Sequence, residues 1–521
     1  MREDPVALEI FKHLFQAVAE EMGETLRRTG FSPNIKERRD YSCAVFDAEG
    51  KTIAQAEHMP VHLGSMPRSV EAAVKAFTFA PGDVVVLNDP YRGGTHLPDI
   101  TVVQGVFWPG EDQPLFYVAN RAHHADVGGM SPGSLPLATE LYQEGIIIPP
   151  VRLMREGKLM EDVLALLLRN VRTPEERRGD LLAQLAANAV GARRLLKYVE
   201  EEGREKVLFY AKALQDYAER MTRALIRELP DGRYHFEDYL DGDGRGREDV
   251  AIRLTLTIQG DEAILDFRES DPQVEGSINA VRAITESASF YAFRAAIPEP
   301  IPSNEGGFRP LTILTRPGTI LDALPPAAVS AGNVETSQRT VDVVLGALSQ
   351  ALPERIPAAG QGTMNNITFG GKDRQGVPFA YYETLGGGAG AGPGWNGTSA
   401  VHVHMSNTLN TPIEALERGL PLRIETYAIR RGSGGKGKYR GGDGVIRRYR
   451  FLVPVQVAVI SERRRRGPYG LQGGSPGEPG KVIRVGKDDG REELPGKWQG
   501  HLEAGEGLEI HTPGGGGWGQ G

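Results

Sequence analysis

The sequence has a single cysteine, Cys43, in a chain of 521 residues. An intrachain disulfide is therefore excluded, and so is a zinc site built from thiolates. Cys43 lies in the apolar segment DYSCAVFD, where a buried structural thiol is the favoured interpretation. The alternative, a nucleophile, would require a neighbouring base and a lowered pKa.

The sequence also lacks long apolar runs and an excess of positive charge. No stretch approaches the roughly 18 apolar residues that cross a bilayer. The N-terminal sequence MREDPVALEIFKHLF is charged and has no apolar signal core. The net charge is −8, and phosphate neutralisation requires a basic surface. We therefore expect a cytoplasmic protein that binds neither membranes nor nucleic acid.

Two glycine-rich segments resemble nucleotide-binding motifs only in part. Residues 432–438, GSGGKGK, fit much of a phosphate-binding loop, but Tyr439 stands where serine or threonine should follow. The next residues, RGGDG, cannot begin the helix that a phosphate cradle needs, so we predict a β-turn. Residues 386–391, GGGAGA, run into GPGW, which again excludes a helix. We interpret 386–394 as a loop beside a ligand or subunit. This loop and the segment 402–407 are candidates to close over substrate.

Composition and hydrophobic patterning predict an α+β, multi-lobed protein. Apolar residues make up 40% of the chain and charged residues 25%, and there are 66 glycines and 35 prolines. This is typical of a globular protein with many tight turns. We expect a helical segment within the N-terminal half and mostly antiparallel strands in the C-terminal half. The predicted domains are a metal-site domain at 1–230, an α+β domain at 231–420 and a β-rich domain at 421–521.

Apolar periodicity locates the main elements within that outline. Helical spacing predicts one helix over 5–29, a second over 67–77, and two or three between 161 and 229. Two further helices are expected near 285–296 and 338–352. Strands are predicted at 41–46, 52–55, 84–87, 115–120, 234–240, 250–258 and 262–267.

Five of the eleven histidines fall between His58 and His124, in clusters that also contain carboxylates. The clusters are HMPVH at 58–62, DPYRGGTHLPD at 89–99 and HHAD at 123–126, and Glu37 lies just upstream. Imidazole and carboxylate without thiolate form the ligand set of a catalytic Zn, Mn or Fe centre. The alternative is that these histidines are hydrogen-bonded structural residues. Their positions in glycine-rich loops at the ends of apolar strands favour a metal site.

Long segments of the chain resemble the hydantoinase B family, which includes the C-terminal part of fused 5-oxoprolinases. The family also includes the B-type subunits of ATP-dependent hydantoinases and subunits of acetone and acetophenone carboxylases. The resemblance runs over nearly the whole chain. The segments that carry it include ERRDYSCAVFD, AQAEHMPVHLGSM, VVLNDPYRGGTHLPDITVV, NRAHHADVGGMSPGS, EGIIIPPVRL and GNVETSQR.

The resemblance implies four metal ligands. In the carboxylase branch a glutamate, two histidines and an aspartate of these blocks hold a metal, and by motif they become Glu37, His96, Asp99 and His123. His123 could be exchanged for His124. The resemblance implies a divalent metal, with Zn or Mn preferred.

The resemblance also implies a partner and a reaction. The partner is an actin-like ATPase A-type subunit, which would use ATP to phosphorylate the carbonyl oxygen of a hydantoin or 5-oxoproline. This chain would bind the activated cyclic amide and let water open the ring. His124 and Asp126 are candidate bases or orienting residues, and Asp89 is a third candidate catalytic residue. Two alternatives stay open: a subunit of a ketone carboxylase, and a non-catalytic scaffold for the ATPase.

Overall fold

A computed structural model describes residues 3–56, 58–296 and 301–521. Its N-terminal third is built around a seven-stranded sheet in the order β2-β1-β5-β4-β3-β6-β7. Every neighbouring pair in this sheet is antiparallel. The strands are β1 (Tyr41–Asp47), β2 (Thr52–Gln55), β3 (Val84–Leu87), β4 (Asp99–Phe107), β5 (Pro114–His123), β6 (Val151–Arg155) and β7 (Lys158–Leu159).

Long helices cover one face of this sheet. Helix α1 (Pro5–Thr29) begins at the N-cap Asp4, whose side chain accepts a hydrogen bond from the amide of Val6, and its apolar positions at helical spacing are buried. It packs against the later helix α6, and both contact the sheet. The helices of this third are completed by α2 (Pro33–Lys36), α3 (Pro60–Leu63), α4 (Met66–Ala76), α5 (Glu161–Arg169), α6 (Pro174–Glu202) and α7 (Arg204–Glu228).

A second sheet of four strands lies in the middle of the chain, in the order β11-β10-β9-β8. It consists of β8 (Gly232–Gly242), β9 (Glu248–Gln259), β10 (Glu262–Asp266) and β11 (Leu311–Leu314). Helices α8 (Arg282–Ala296) and α9 (Ser337–Ala351) pack on each other, and α9 packs on β8 and β9. A π-helical turn at 332–336 leads into α9. The largest apolar core joins this layer to the first sheet.

Two antiparallel sheets form the C-terminal part. One has the order β13-β12-β16-β19 and the other β14-β15-β20-β17-β18. Helix α10 (Ile413–Gly419) lies between β13 and β14. The strands are β12 (Asn366–Lys372), β13 (Pro378–Glu383), β14 (Leu422–Arg430), β15 (Gly444–Phe451), β16 (Val455–Ile460), β17 (Lys481–Val485), β18 (Arg491–Leu494), β19 (Lys497–Leu502) and β20 (Gly507–His511).

The segment 386–394 lies inside the protein for most of its length, against other glycine-rich chain. Gly388 donates its amide to the carbonyl of Pro513, and Ala391 donates to Gly516. A Cβ atom on Gly388 would lie 2.0 Å from the carbonyl oxygen of Gly442. The expected substrate-closing loop is therefore an interior segment whose glycines permit close backbone packing.

The α+β prediction is confirmed: helices concentrate between 161 and 228, and the C-terminal part is antiparallel β. Within the described residues, no helix is long and apolar enough to cross a bilayer. Strands on both sides of residue 420 share one sheet, since β12 pairs with β16. The division into three domains stays a prediction.

A candidate metal centre

Two neighbouring strands bring the central residues together. Asp99 is the first residue of β4 and His123 the last of β5, and the antiparallel register places them opposite each other. His96 precedes Asp99 by one turn of loop, and the amide of Asp99 donates to the carbonyl of His96 at 3.1 Å. All three are buried in the interior, with at most 2% of their surface exposed. One ligand atom from each residue lies within 4.8 Å of the other two.

The orientation of His96 suits a metal ligand. Its Nδ1 lies 3.0 Å from the carbonyl oxygen of Ser330. A carbonyl can only accept, so Nδ1 carries a proton, and in the neutral form of the ring Nε2 has the lone pair. That Nε2 lies 3.2 Å from Oδ1 of Asp99. This is the arrangement in which an imidazole is fixed for coordination through its other nitrogen.

The remaining atoms of the triad also fit a divalent cation. Nε2 of His123 is buried without a hydrogen-bond partner among the described residues, and Oδ1 of Asp99 is buried between the imidazoles of His62 and His96, each 3.2 Å away. Burial opposes ionisation of Asp99, yet the charges of His62 and His96 outweigh it and hold the pKa of that carboxyl well below its usual range. Burial lowers the pKa of His123 well below its ordinary value. The site therefore offers a carboxylate and a neutral imidazole, as coordination requires.

A second ring of buried polar groups surrounds the triad. Nε2 of His62, on α3, lies 3.2 Å from Oδ1 of Asp99 and 3.9 Å from Oδ1 of Asp40. The ring of Tyr382 stacks on His123 with centroids 4.4 Å apart. The side-chain nitrogen Nδ2 of Asn34 lies 3.3 Å from Nδ1 of His123. These contacts fix the rings and carboxylates of the centre in place.

Glu144 supports His96 through the backbone. Its Oε1 accepts hydrogen bonds from the amides of Val329 and Ser330 at 3.0 and 2.9 Å. The carbonyl of Ser330 is in turn the partner of Nδ1 of His96. Burial raises the pKa of Glu144 to about 7. Glu144, which lies on a loop distant in sequence, thus helps to orient the imidazole ring of His96, a candidate ligand.

Glu37, the fourth predicted ligand, does not belong to the group of three. It lies at the end of α2 and is half-buried, and burial raises the pKa of its carboxyl, with Lys36 as the opposing charge. Asp40, three residues later, is only 3% exposed and interacts electrostatically with Asp99 and His96. The carboxylate of this segment that lies close to the centre is therefore Asp40, and the role of Glu37 stays a prediction.

The candidate catalytic residues make hydrogen bonds that lead away from the triad. Nε2 of His124 lies 2.9 Å from Oε1 of Gln184 on α6, and burial lowers its pKa to about 4. Asp126 forms an ion pair with Arg172 at 3.0 Å. Oδ1 of Asp89 accepts a hydrogen bond from the amide of Tyr91. Catalytic roles for these three candidates stay predictions.

Sequence reasoning did not place His62, Glu144 or Asn333 at the centre, although the sequence contains part of the signal. Nδ2 of Asn333 lies 3.1 Å from Nε2 of His96. His62 belongs to a histidine cluster, and Asn333 belongs to the segment GNVETSQR that carries the family resemblance. Glu144 opens the segment EGIIIPPVRL in the same way. Spacing could not connect them to the centre because Asn333 and Glu144 meet it only through tertiary packing.

Comparisons with known proteins show the family of the chain and its fold. The sequence matches the family Hydantoinase B/oxoprolinase over residues 4–521. It is 42% identical to 5-oxoprolinase 1 of Arabidopsis thaliana over 99% of this chain and 42% of that protein. It is 30% identical to a Pseudomonas protein described as the B-type subunit of a D-/L-hydantoinase, over 99% of this chain and 90% of that protein.

Solved structures show the same architecture. The ATP-dependent caprolactamase of Pseudomonas jessenii superposes with a TM-score of 0.92 at 31% identity, over 100% of this chain and 92% of that one. An acetone carboxylase superposes with a TM-score of 0.90 at 18% identity, over 99% of this chain and 76% of that one, and shows the shared fold alone.

The fold and the buried imidazole–carboxylate triad define a class of α+β proteins with a candidate metal centre at the ends of two central strands. Within that class, the chain belongs to the hydantoinase B/oxoprolinase family. It spans about two fifths of the length of several curated relatives that it matches, 5-oxoprolinase 1 among them. The resemblance inferred from the sequence segments is therefore confirmed.

Proposed function

We propose that this chain is the B-type subunit of an ATP-dependent cyclic-amide hydrolase that opens the ring of a hydantoin or 5-oxoproline. The observation that carries the proposal is the buried triad His96, Asp99 and His123 in a chain of this family. The similarity to a caprolactamase, whose name describes an ATP-dependent hydrolase of a cyclic amide, supports the substrate class.

The partner in this proposal is an actin-like ATPase A-type subunit. The chain corresponds to about two fifths of 5-oxoprolinase 1, so that protein contains a large additional part. The chain also corresponds to 90% of the Pseudomonas hydantoinase subunit, which is a separate polypeptide. A separate A-type subunit would supply the phosphorylation of the amide carbonyl oxygen, with ATP converted to ADP.

The residues of the chain then have defined tasks in ring opening. His96, Asp99 and His123 hold a divalent cation, with Asp40 or Glu37 as an additional carboxylate. When bound, such a cation lowers the pKa of a water molecule and stabilises negative charge on oxygen. His62, 3.2 Å from Asp99, keeps that carboxylate oriented. Exclusion of bulk water by the buried site strengthens each of these electrostatic interactions.

Bond changes in the reaction balance with water and ATP alone. A water oxygen forms a bond to the activated carbon, the ring C–N bond breaks, and the nitrogen leaves with a proton, as an amine from 5-oxoproline or as the NH₂ of a carbamoyl group from a hydantoin. A second water releases the phosphoryl group as inorganic phosphate. His124 and Asp126 remain the candidates for moving these protons, although their present hydrogen bonds lead to Gln184 and Arg172.

Metal analysis tests the centre itself. We expect purified wild-type protein to contain one divalent Zn or Mn per chain, and the double variant His96→Ala, Asp99→Ala to contain none. His235→Ala, which removes an exposed histidine of β8, is the matched control and should keep full occupancy. Full metal occupancy in the double variant would contradict the assignment.

Reconstitution tests the reaction. The chain and its A-type partner should form ADP and ring-opened amino acid in equal amounts when hydantoin, 5-oxoproline or caprolactam is supplied, without bicarbonate. ATP turnover that requires both a ketone and bicarbonate would instead indicate a carboxylase. Partner-dependent turnover that persists after loss of the triad would indicate a scaffold.

A further inference from the structure

Asn333 contacts two members of the triad directly. Its side-chain nitrogen Nδ2 lies 3.1 Å from Nε2 of His96 and 3.4 Å from Oδ2 of Asp99. Both acceptors belong to residues that the proposed function assigns to a cation. Asn333 lies in the π-helical turn at 332–336, a conformation that occurs often at functional sites.

The other end of the same amide has no partner. Oδ1 of Asn333 is buried and accepts no hydrogen bond from the described residues, and the whole residue is only 3% exposed. Leaving a buried carbonyl oxygen unpaired costs about 1–3 kcal/mol. Such a group in a closely packed protein indicates an interaction with something other than the chain's own donors.

A cation and the Asn333 NH₂ group compete for one lone pair. When His96 binds a cation its ring is neutral, and its proton is then on Nδ1, because that atom faces the carbonyl of Ser330; Nε2 has a single lone pair to offer. A cation held by His96 therefore displaces Nδ2 of Asn333 from this atom. A 180° rotation of the Asn333 side-chain amide about its Cβ–Cγ bond exchanges the positions of Nδ2 and Oδ1 within nearly the same volume.

We propose that Asn333 is a further residue of the metal centre. Its side-chain amide rotates by 180° when the metal binds and presents Oδ1 to the cation or to water bound to it. Side-chain carbonyl oxygens are ordinary ligands of hard divalent cations. This rotation gives the unpaired Oδ1 a partner, and Nδ2 loses only its contacts with His96 and Asp99. This inference rests on the metal centre of the proposed function.

Three variants separate the two ends of the amide. Asn333→Leu has nearly the same volume and neither oxygen nor nitrogen, and we expect it to weaken Zn²⁺ or Mn²⁺ binding tenfold or more. Asn333→Asp keeps an oxygen in place and should bind at least as tightly as wild type. Asn304→Leu is the control, because Asn304 is also buried, and among the described residues its side chain bonds to Leu214 and to its own turn.

Binding is measured by isothermal titration and chelator competition on the purified full chain, with no activity assay. Metal-free Asn333→Asp should also unfold at a lower temperature than wild type, since it places a second carboxylate beside Asp99, and metal should reverse this difference. If Asn333→Leu fails to fold, Asn333→Ala carries the same expectation.

The outcomes distinguish this inference from the proposed function. Wild-type affinity in Asn333→Leu, or equal losses in the Leu and Asp variants, would overturn the role of Oδ1 and leave the metal centre standing. A wild-type chain that binds no divalent metal would overturn both.

Discussion

At the scale of single residues, the candidate site depends on which carboxylates lie inside the protein. Asp99 is held between His62 and His96, each with Nε2 at 3.2 Å from its Oδ1. Its neighbour Asp40 is buried beside Arg38, with 3.6 Å between their charged groups. Two nearby carboxylates favour a cation between them, because like charges in a buried site otherwise repel. Local geometry therefore explains why this end of β4 and β5 can attract a metal.

The first prediction compares the two carboxylates of the segment before β1. We expect Asp40→Asn to weaken metal binding tenfold or more, since a buried charge next to the triad is lost. Glu37→Gln should change metal affinity only slightly, because Glu37 is half-buried and lies outside the triad. Both variants are isosteric, so each serves as the control for the other in a metal titration. A tenfold loss in Glu37→Gln alone would restore Glu37 as the ligand.

The second prediction uses the buried carboxyl of Glu144. Its pKa is raised from 4.5 to about 7 by burial. Between these values the folded protein binds a proton that the unfolded chain has released, so the free energy of unfolding falls as pH rises through this window. The expected fall is on the order of 3 kcal/mol. Glu144→Gln cannot titrate, and its Oε1 can still accept from Val329 and Ser330.

Urea unfolding of metal-free protein at pH 5 and pH 8 measures this effect. Wild type should lose more stability between the two pH values than Glu144→Gln does, and the difference isolates Glu144 from every other titrating group. Equal losses in the two proteins would show that Glu144 does not titrate as its burial requires.

At the scale of secondary-structure elements, strand ends position the candidate ligands, and the sequence predicts these strands only in part. Patterning predicts strands at 84–87 and 115–120, and β3 and β5 are found there, although β5 continues to His123 and β4, which begins at Asp99, is not among the predicted strands. His96, Asp99 and His123 could be inferred because histidines and carboxylates cluster in loops next to apolar strands. Asn333 could not, because a π-helical turn has no clear sequence signal and Asn333 is 237 residues away from His96.

The glycine-rich segments give a different result. Patterning predicts a loop beside a ligand or subunit at 386–394, and the structure packs 386–391 against the C-terminal glycines of the chain. A glycine run permits either a mobile loop or close backbone packing, and composition alone does not distinguish them, so closure of this segment over substrate stays a prediction. The contacts of the neighbouring segments decide between the two.

The third prediction follows from that packing. A Cβ atom on Gly515 would lie 2.0 Å from the carbonyl oxygen of Ala389, so Gly515→Ala must displace backbone. We expect a loss of about 3 kcal/mol or more in the free energy of unfolding, or failure to fold. Gly419→Ala is the matched control, since a Cβ there meets nothing within 4 Å. Thermal unfolding of both variants measures the effect, and equal stabilities would contradict the packing.

At the scale of the whole molecule, the chain holds a candidate centre for water activation but shows no phosphate cradle in the segment that most resembles one. Five of the seven amides of residues 432–438, where the sequence predicts a turn, donate hydrogen bonds within the protein. Gly435 donates to the carbonyl of Gly515, Gly434 to Asp443, and Lys438 to Gly519. Amides committed to the protein's own carbonyl and carboxylate groups cannot also bind phosphate.

The fourth prediction is that the isolated chain hydrolyses neither ATP nor a cyclic amide. Ring opening in the proposed reaction needs a carbonyl oxygen that has been phosphorylated, and the segment resembling a phosphate loop is occupied by the chain's own glycine packing. Addition of an A-type subunit should restore both activities together, with ADP and opened ring formed in equal amounts.

The measurement is ADP release and amine formation from the chain alone, from the A-type subunit alone and from the mixture. The A-type subunit mixed with the His96→Ala, Asp99→Ala variant is the control, because it keeps the partner and removes the candidate metal ligands. Robust ATP turnover by the purified chain without partner would show that this chain contains a nucleotide site of its own, and the proposed division of labour between the two subunits would be wrong.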